Sequence, residues 1–162
     1  MKQILAAAFA ALLATGASAE VTKLNVPAEA QLAARACATA LAGGAPLSQS
    51  LGAKGYQRSY DSMVKEEART GLLKNTQAIL VRVKRDACTI KLMPAAKQDM
   101  RMLAENAQGA MQAMGYARAS VKRRGRVVPA MTKDGAVVFT LNGQYKRTSL
   151  YEQATLFICA AK

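Results

Sequence analysis

Two segments with helical spacing of apolar residues are each followed by sequence that favours strands, and this order restricts the fold. Pro27 to Leu41 predicts a first helix, because proline suits the first helical position and Glu29 lies in the first turn. Pro94 to about Met114 predicts a second helix with a face of leucine, alanine and methionine. The order predicts an α+β fold in which two helices pack on one face of an antiparallel sheet.

The sequence after the first helix contains a hairpin pattern. Residues 76–93 alternate between apolar and polar side chains on both sides of Arg85-Asp86, which predicts two strands joined by a turn at that dipeptide. Residues 59–76 fit a loop, a short helix or an edge strand equally well, so these three alternatives stay open.

The C-terminal part has the composition of an antiparallel meander. Asp134-Gly135 and Asn142-Gly143 are dipeptides that favour two-residue hairpin turns. Three segments around them are rich in β-branched and aromatic residues, namely 126–131, 136–141 and 144–160. We therefore predict strands that reverse direction at these two dipeptides.

A short repeated motif bears on the number of structural units. Gly55-Tyr56 follows the first helix and Gly115-Tyr116 ends the second, 60 residues later, and both lead into sequence that favours strands. The chain after residue 19 is predicted to be a single α+β domain, 20–162, which could be built from two similar halves, 20–93 and 94–162. A motif this short specifies little, so the duplication stays open.

The N-terminal residues 1–19 are typical of a secretory signal peptide. Lys2 supplies the basic start, Ile4 to Ala14 are apolar, and Ala17-Ser18-Ala19 is a small-residue cleavage site. The apolar run is about half of the roughly 20 residues that span a bilayer, and no later segment reaches that length. We predict cleavage before Glu20 and an exported protein, in the periplasm or outside the cell.

Export permits disulfide bonds, and the chain has three cysteines. Helical spacing places Cys37 on the packing face of the first helix, and strand alternation places Cys88 among the apolar side chains of the hairpin. We therefore predict a Cys37–Cys88 disulfide, which would close a loop of about 50 residues and stabilise the fold by about 4 kcal/mol. A Cys88–Cys159 bond is the alternative, and whether Cys159 is free stays open.

The absence of histidine excludes several kinds of catalytic site. No Ser-His-Asp triad, Cys-His pair or histidine metal site can form in this chain. Ser62 and Lys65 fit the S-x-x-K pattern of serine acyltransferases, but the other motifs of those enzymes are missing. Glu66-Glu67 lies beside basic residues and is predicted to be solvated. We predict no catalytic residue, no metal site and no cofactor.

Positive charge is the one feature that points towards a function. The chain has 23 lysine and arginine residues against 10 acidic residues, a formal charge of +13. Clustered cations repel one another and create a field that steers anionic partners. The predicted anion-binding patch comprises Arg118, Lys122, Arg123, Arg124 and Arg126 within nine residues, together with Arg82, Lys84 and Arg85 from the hairpin.

These features lead to three functional hypotheses. The favoured one is a small exported protein without enzymatic activity, whose basic face binds an anionic cell-envelope component or an acidic protein. The alternative is an inhibitor or accessory subunit that docks on one exported protein, and the third is an enzyme that works without histidine. The basic cluster contains no aromatic residue for stacking, which disfavours nucleic acid as the partner.

Overall fold

The computed structural model describes residues 24–66 and 77–161, and it confirms the α+β fold. The signal-peptide prediction for 1–19 lies outside the described residues. The described elements, in chain order, are α1 (Val26–Leu41), α2 (Leu47–Gly52), β1 (Gln57–Ser59), β2 (Ser62–Glu66), β3 (Ala78–Lys84), β4 (Ala87–Met93), α3 (Lys97–Gln112), β5 (Ala117–Arg123), β6 (Arg126–Lys133), β7 (Ala136–Arg147) and β8 (Glu152–Ala160).

The eight strands in the described ranges form one antiparallel sheet in the order β1-β2-β3-β4-β8-β7-β6-β5. The strands of each half form a meander, and the halves join where β4 pairs with β8. Exchanging β1–β4 with β5–β8 gives the same order read from the opposite edge. The sheet is therefore symmetric in its topology, with the last strand of each meander, β4 or β8, at its centre and the first strand at an edge.

The core lies between one face of the sheet and the two long helices. Strand residues of one parity, such as Val81, Ile90 and Leu156, are fully buried. Ala30 and Ala33 of α1 are also fully buried, and small side chains of this kind let a helix approach the sheet closely. We call the other face of the sheet the open face, because none of the described helices covers it.

The predicted disulfide is present and the alternative pairing is not. Cys37 of α1 is bonded to Cys88 of β4, with the two Cα atoms 5.6 Å apart. Cys159 is free and partly exposed. Because Ile158 is the residue that pairs with Cys88 and is buried in the core, the next residue, Cys159, points to the open face.

The helices differ from the prediction in detail. A short third helix, α2, was not predicted, and α3 begins at Lys97 rather than at Pro94. The side chain of Asp99 accepts a hydrogen bond at 2.7 Å from the backbone N–H of Ala96, which fixes this start. None of the helices in the described ranges is both long and apolar enough to cross a membrane.

One of the predicted turns is wrong. The turns at Arg85-Asp86 and Asp134-Gly135 form as predicted, but β7 continues through Asn142-Gly143, and the chain reverses instead at residues 148–151. Met100 of α3 packs against Gly143, where an added Cβ would lie 3.0 Å from the Met100 Cγ atom. This glycine therefore allows a helix side chain to approach the strand closely and does not form a turn.

Of the segment left open at 59–76, only the first part can be compared with the structure. β1 and β2 form a hairpin that reverses at Tyr60-Asp61. The rest of that segment, 67–76, lies outside the described residues.

Candidate anion-binding site

The five cations of the predicted patch within residues 118–126 lie on one hairpin, and the structure divides its strand cations between the two faces of the sheet. β5 and β6 pair over seven residues on each strand, and Arg124-Gly125 forms the turn with φ angles of 48° and 77°. Arg118 pairs with Met131, which is buried on the helix side of the sheet, so Arg118 and Lys122 share that side. Arg123 and Arg126 have the opposite parity and lie on the open face.

Pro129 explains why this hairpin departs from the rest of the sheet. Arg123 and Arg126 flank a two-residue turn and therefore form a hydrogen-bonded pair, so the backbone nitrogen of Pro129 is directed away from β5 and towards β7. Proline has no N–H to donate there. Pairing of β6 with β7 covers only Ala130 to Lys133, with a register shift after Met131, and the tip of the hairpin is free to curve.

The tip of the hairpin and the open face line a half-open cavity of about 950 Å³. We call it the arginine cavity. Three of its residues are cations from the hairpin, and Thr140 and Asn142 of β7 contribute a hydroxyl and an amide. The lining residues are Arg123, Arg124, Arg126, Val128, Thr140, Asn142 and Cys159. Thr140 is only 6% exposed, whereas Asn142 and the three arginines are open to solvent.

No ion pair between described residues includes an arginine of this cavity, although Asp86 and Arg123 both act on the Cys159 thiol. The ion pairs that the structure describes are Lys65–Glu29, Arg82–Asp61 and Arg147–Glu152. Three guanidinium groups close together repel one another unless an anion lies between them. The cavity therefore has the charge and the hydrogen-bond donors that an oxyanion requires.

Cys159 of β8 and Arg123 of β5 line the same cavity, although two strands separate β8 from β5 in the sheet. Burial raises the pKa of Cys159, the positive charge of Arg123 opposes that rise, and Asp86 adds to it. β5 and β8 are separated by β7 and β6, so three strand spacings of about 4.8 Å lie between them along a flat sheet. Arg123 and Cys159 nevertheless line the same cavity, so we infer that the hairpin curves over the open face.

The basic residues of the β3–β4 hairpin do not join the arginine cavity. Arg82 donates a hydrogen bond to Asp61 at 3.0 Å, and both side chains are about half exposed. Partial desolvation would raise the pKa of Asp61, but hydrogen bonds from Ser62 and Arg82 outweigh it and lower the pKa. Lys84 and Arg85 lie at the exposed end of the same hairpin and are not among the residues that line the cavity.

The S-x-x-K pattern does not form a catalytic pair. Ser62 and Lys65 lie three residues apart on β2, so their side chains point to opposite faces of the strand. The Ser62 hydroxyl donates to Asp61, and the Lys65 ammonium group donates to Glu29 and to the backbone carbonyl of Lys54. Glu66 is exposed at the end of the strand.

Sequence reasoning missed a polar cluster under α1. Glu29 is 9% exposed and pairs with Lys65 at 2.5 Å, while the Lys65 ammonium lies 5.7 Å from the centre of the Tyr56 ring. Glu29 Oε2 and the Tyr56 hydroxyl are both buried. Burial raises the pKa of Tyr56, and the charge of the adjacent Glu29 carboxylate and a hydrogen bond to it raise that pKa further. This cluster joins α1 to β2 in the first half of the fold.

No protein-family model, curated protein or solved structure matches this chain. In the residues that the structure describes, no three cysteine, aspartate or glutamate side chains are grouped so that they could hold a metal ion. The fold and the site together define an α+β protein with one disulfide and an arginine-lined cavity on the open face of its sheet.

Proposed function

We propose that this protein is an exported binding protein without enzymatic activity, and that it holds an anionic group of a cell-envelope component in the arginine cavity. One observation carries the proposal. Arg123, Arg124 and Arg126 line the same cavity, and none of them belongs to an ion pair of the described residues.

The chemistry of the lining favours an oxyanion such as a phosphate group. A guanidinium group can donate two parallel hydrogen bonds to oxygens of one phosphate or carboxylate. The hydroxyl of Thr140 and the amide of Asn142 can donate to oxygens that the arginines leave free. Charge attraction then brings the ligand to the face, and the cavity fixes its position.

Two further features support export. The Cys37–Cys88 disulfide is of a kind that forms and persists in oxidising compartments. Residues 1–19 have the pattern of a secretory signal peptide. An envelope component is therefore the proposed source of the anion.

The free thiol provides a direct test of anion binding. Because the other two cysteines are bonded to each other, Cys159 alone reacts with iodoacetamide in the folded protein. Pyrophosphate in the cavity would block access to the thiol. It would also offset the positive charge of Arg123, so the pKa of the thiol would rise. We expect pyrophosphate to slow alkylation of residues 20–162, whereas sodium chloride of equal ionic strength does so much less.

A pair of variants on one hairpin separates the cavity from general positive charge. R123Q/R126Q and R118Q/K122Q each remove two charges, but only the first pair faces the cavity. We expect R123Q/R126Q to weaken pyrophosphate binding about tenfold or more, and R118Q/K122Q to weaken it about threefold or less. Equal losses in the two variants would show that binding depends on diffuse charge and would refute the cavity as the site.

A further inference from the structure

We propose a second interaction surface, separate from the arginine cavity: the outer edge of β5 accepts an acidic, extended segment of a partner protein as a ninth strand. β5 is at one edge of the sheet, and among the strands that the structure describes it pairs with β6 alone. A strand with one free edge offers unpaired N–H and C=O groups to another extended chain.

The register of the hairpin identifies which backbone groups are available. Arg123 and Arg126 flank the two-residue turn and form a hydrogen-bonded pair, so odd-numbered residues of β5 direct their backbone groups towards β6. The backbone N–H and C=O groups of Arg118, Ser120 and Lys122 therefore point outwards. Three consecutive outward residues provide the alternating donors and acceptors that an added strand requires.

The two edges of the sheet are not equivalent. β1, at the other edge, has only three residues, whereas β5 has seven. A three-residue edge offers too few backbone groups for stable strand addition, and short edge strands are a common protection against it. β5 is therefore the edge on which a partner strand can be held.

Charge on β5 selects the kind of strand that can pair. Arg118 and Lys122 lie on one face of the strand and Arg123 on the other, and all three are exposed. These cations disfavour pairing between two copies of this chain, because like charges would lie close together. The same cations favour a strand with glutamate or aspartate opposite them, so one set of side chains both prevents self-association and selects an acidic partner.

The side chains of β5 also predict the pattern of the partner strand. Acidic residues would lie opposite Arg118 and Lys122, with a small polar residue between them opposite Ser120. On the other face, Ala119 and Val121 leave room for apolar side chains of moderate size. The predicted partner segment thus alternates between acidic or polar residues and valine-like residues.

A synthetic peptide of that pattern tests the proposal. The probe is a fluorescent seven-residue peptide in which glutamate, threonine and glutamate alternate with valine, and binding to residues 20–162 is followed by anisotropy. Ser120→Pro removes the central outward N–H, at a position where an edge strand tolerates proline. We expect this variant to weaken peptide binding about tenfold or more, and Ser120→Ala to stay within about twofold of wild type.

A change in the peptide gives an independent test that does not depend on the folding of a variant. Methylation of the peptide nitrogens that face β5 removes their hydrogen bonds, and we expect it to abolish binding to wild-type protein. Equal binding of the methylated peptide, or of a peptide with lysine in place of glutamate, would overturn the proposal. Displacement of the peptide by pyrophosphate would also overturn it, by assigning the acidic peptide to the arginine cavity. Protection of Cys159 by pyrophosphate is measured in the Ser120→Pro variant as well, so failure of one proposal is distinguishable from failure of the other.

Discussion

The two halves of the sheet share one local plan but use it differently. In each half, a helix ends at a glycine with positive φ, at Gly55 and at Gly115, and the following tyrosine, Tyr56 or Tyr116, is buried. The N–H groups of Tyr56 and Tyr116 donate hydrogen bonds to carbonyls five residues earlier, at 3.3 and 3.1 Å, a common way to end a helix. This likeness supports the hypothesis of a duplicated unit, which stays a prediction.

The likeness extends across the strands. Lys65 and Lys133 occupy the same register position opposite their tyrosines, and their ammonium groups lie 5.7 and 5.5 Å from the ring centres. Only in the first half does a buried carboxylate, Glu29, pair with the lysine among the described residues. The first half also holds the disulfide, while the second half holds the free thiol and the unpaired arginines. The disulfide and the buried ion pair therefore lie in one half, and the free thiol and the arginine cavity lie in the other.

The largest test of this contrast removes cysteines from each half. C37A/C88A opens a loop closed across 51 residues, which costs about 4 kcal/mol in the chain-entropy treatment of the unfolded state. Cys159→Ala removes a partly exposed side chain without a partner and should change the free energy of unfolding by less than about 1 kcal/mol. Urea unfolding of both variants measures the difference. Similar losses would contradict the view that the first half is the stabilised one.

A second test compares the two lysines. Lys65→Met leaves the Glu29 carboxylate, whose side chain is 12% exposed, without its cation, and we expect a loss of about 2 kcal/mol. Lys133→Met removes a cation above a ring but no ion pair of the described residues, so the expected loss is below about 1 kcal/mol. Adding Glu29→Gln to Lys65→Met should recover part of the loss, because the unpaired charge is then gone. Equal losses at the two lysines would show that Glu29 does not distinguish the halves.

The sequence predicted those features that depend on local periodicity. The Cys37–Cys88 disulfide followed from one helical and one strand pattern, because each pattern fixes the direction of its own side chains. The turn at Asn142-Gly143 was wrongly predicted because the need for Gly143 comes from Met100, which is distant in sequence and close only in the fold.

The arginine cavity could be predicted only in part. The density of basic residues identified the cations of the cavity. Their division between two faces could not be predicted, because the polar composition of residues 117–123 does not indicate a strand. Pro129 cannot donate a hydrogen bond to β7, and we infer that this lets the tip of the hairpin curve. That β7 is the neighbouring strand is known only once the sheet order is known. Glu29 was assigned to the first turn of a helix, and its burial follows from the packing of α1 against β2 rather than from its own position in the chain.

The smallest test is confined to alkaline pH and concerns Tyr56. Its pKa is raised in the folded state above the value of about 10 in the unfolded state, so the unfolded state loses the proton first. The contribution of Tyr56 to stability is complete below pH 10 and declines as the pH rises above it. Between neutral pH and pH 11 we expect the free energy of unfolding to fall by about 1.4 kcal/mol more in wild type than in Tyr56→Phe. Urea unfolding at each pH measures this difference. At pH 7, below the pKa of Tyr56 in both states, the difference between wild type and Tyr56→Phe does not depend on pH.

Glu29→Gln separates the two causes of that pKa shift. Burial is the larger cause and remains in this variant, whereas the neighbouring negative charge is removed. The pH at which Tyr56 ionises in the folded protein, followed by tyrosine absorbance with Tyr56→Phe as the reference, should therefore be lower in the Glu29→Gln background and still above the ordinary value. If that pH were unchanged, the Glu29 carboxylate would not act on Tyr56, and the polar cluster of the first half would consist only of the Glu29–Lys65 ion pair.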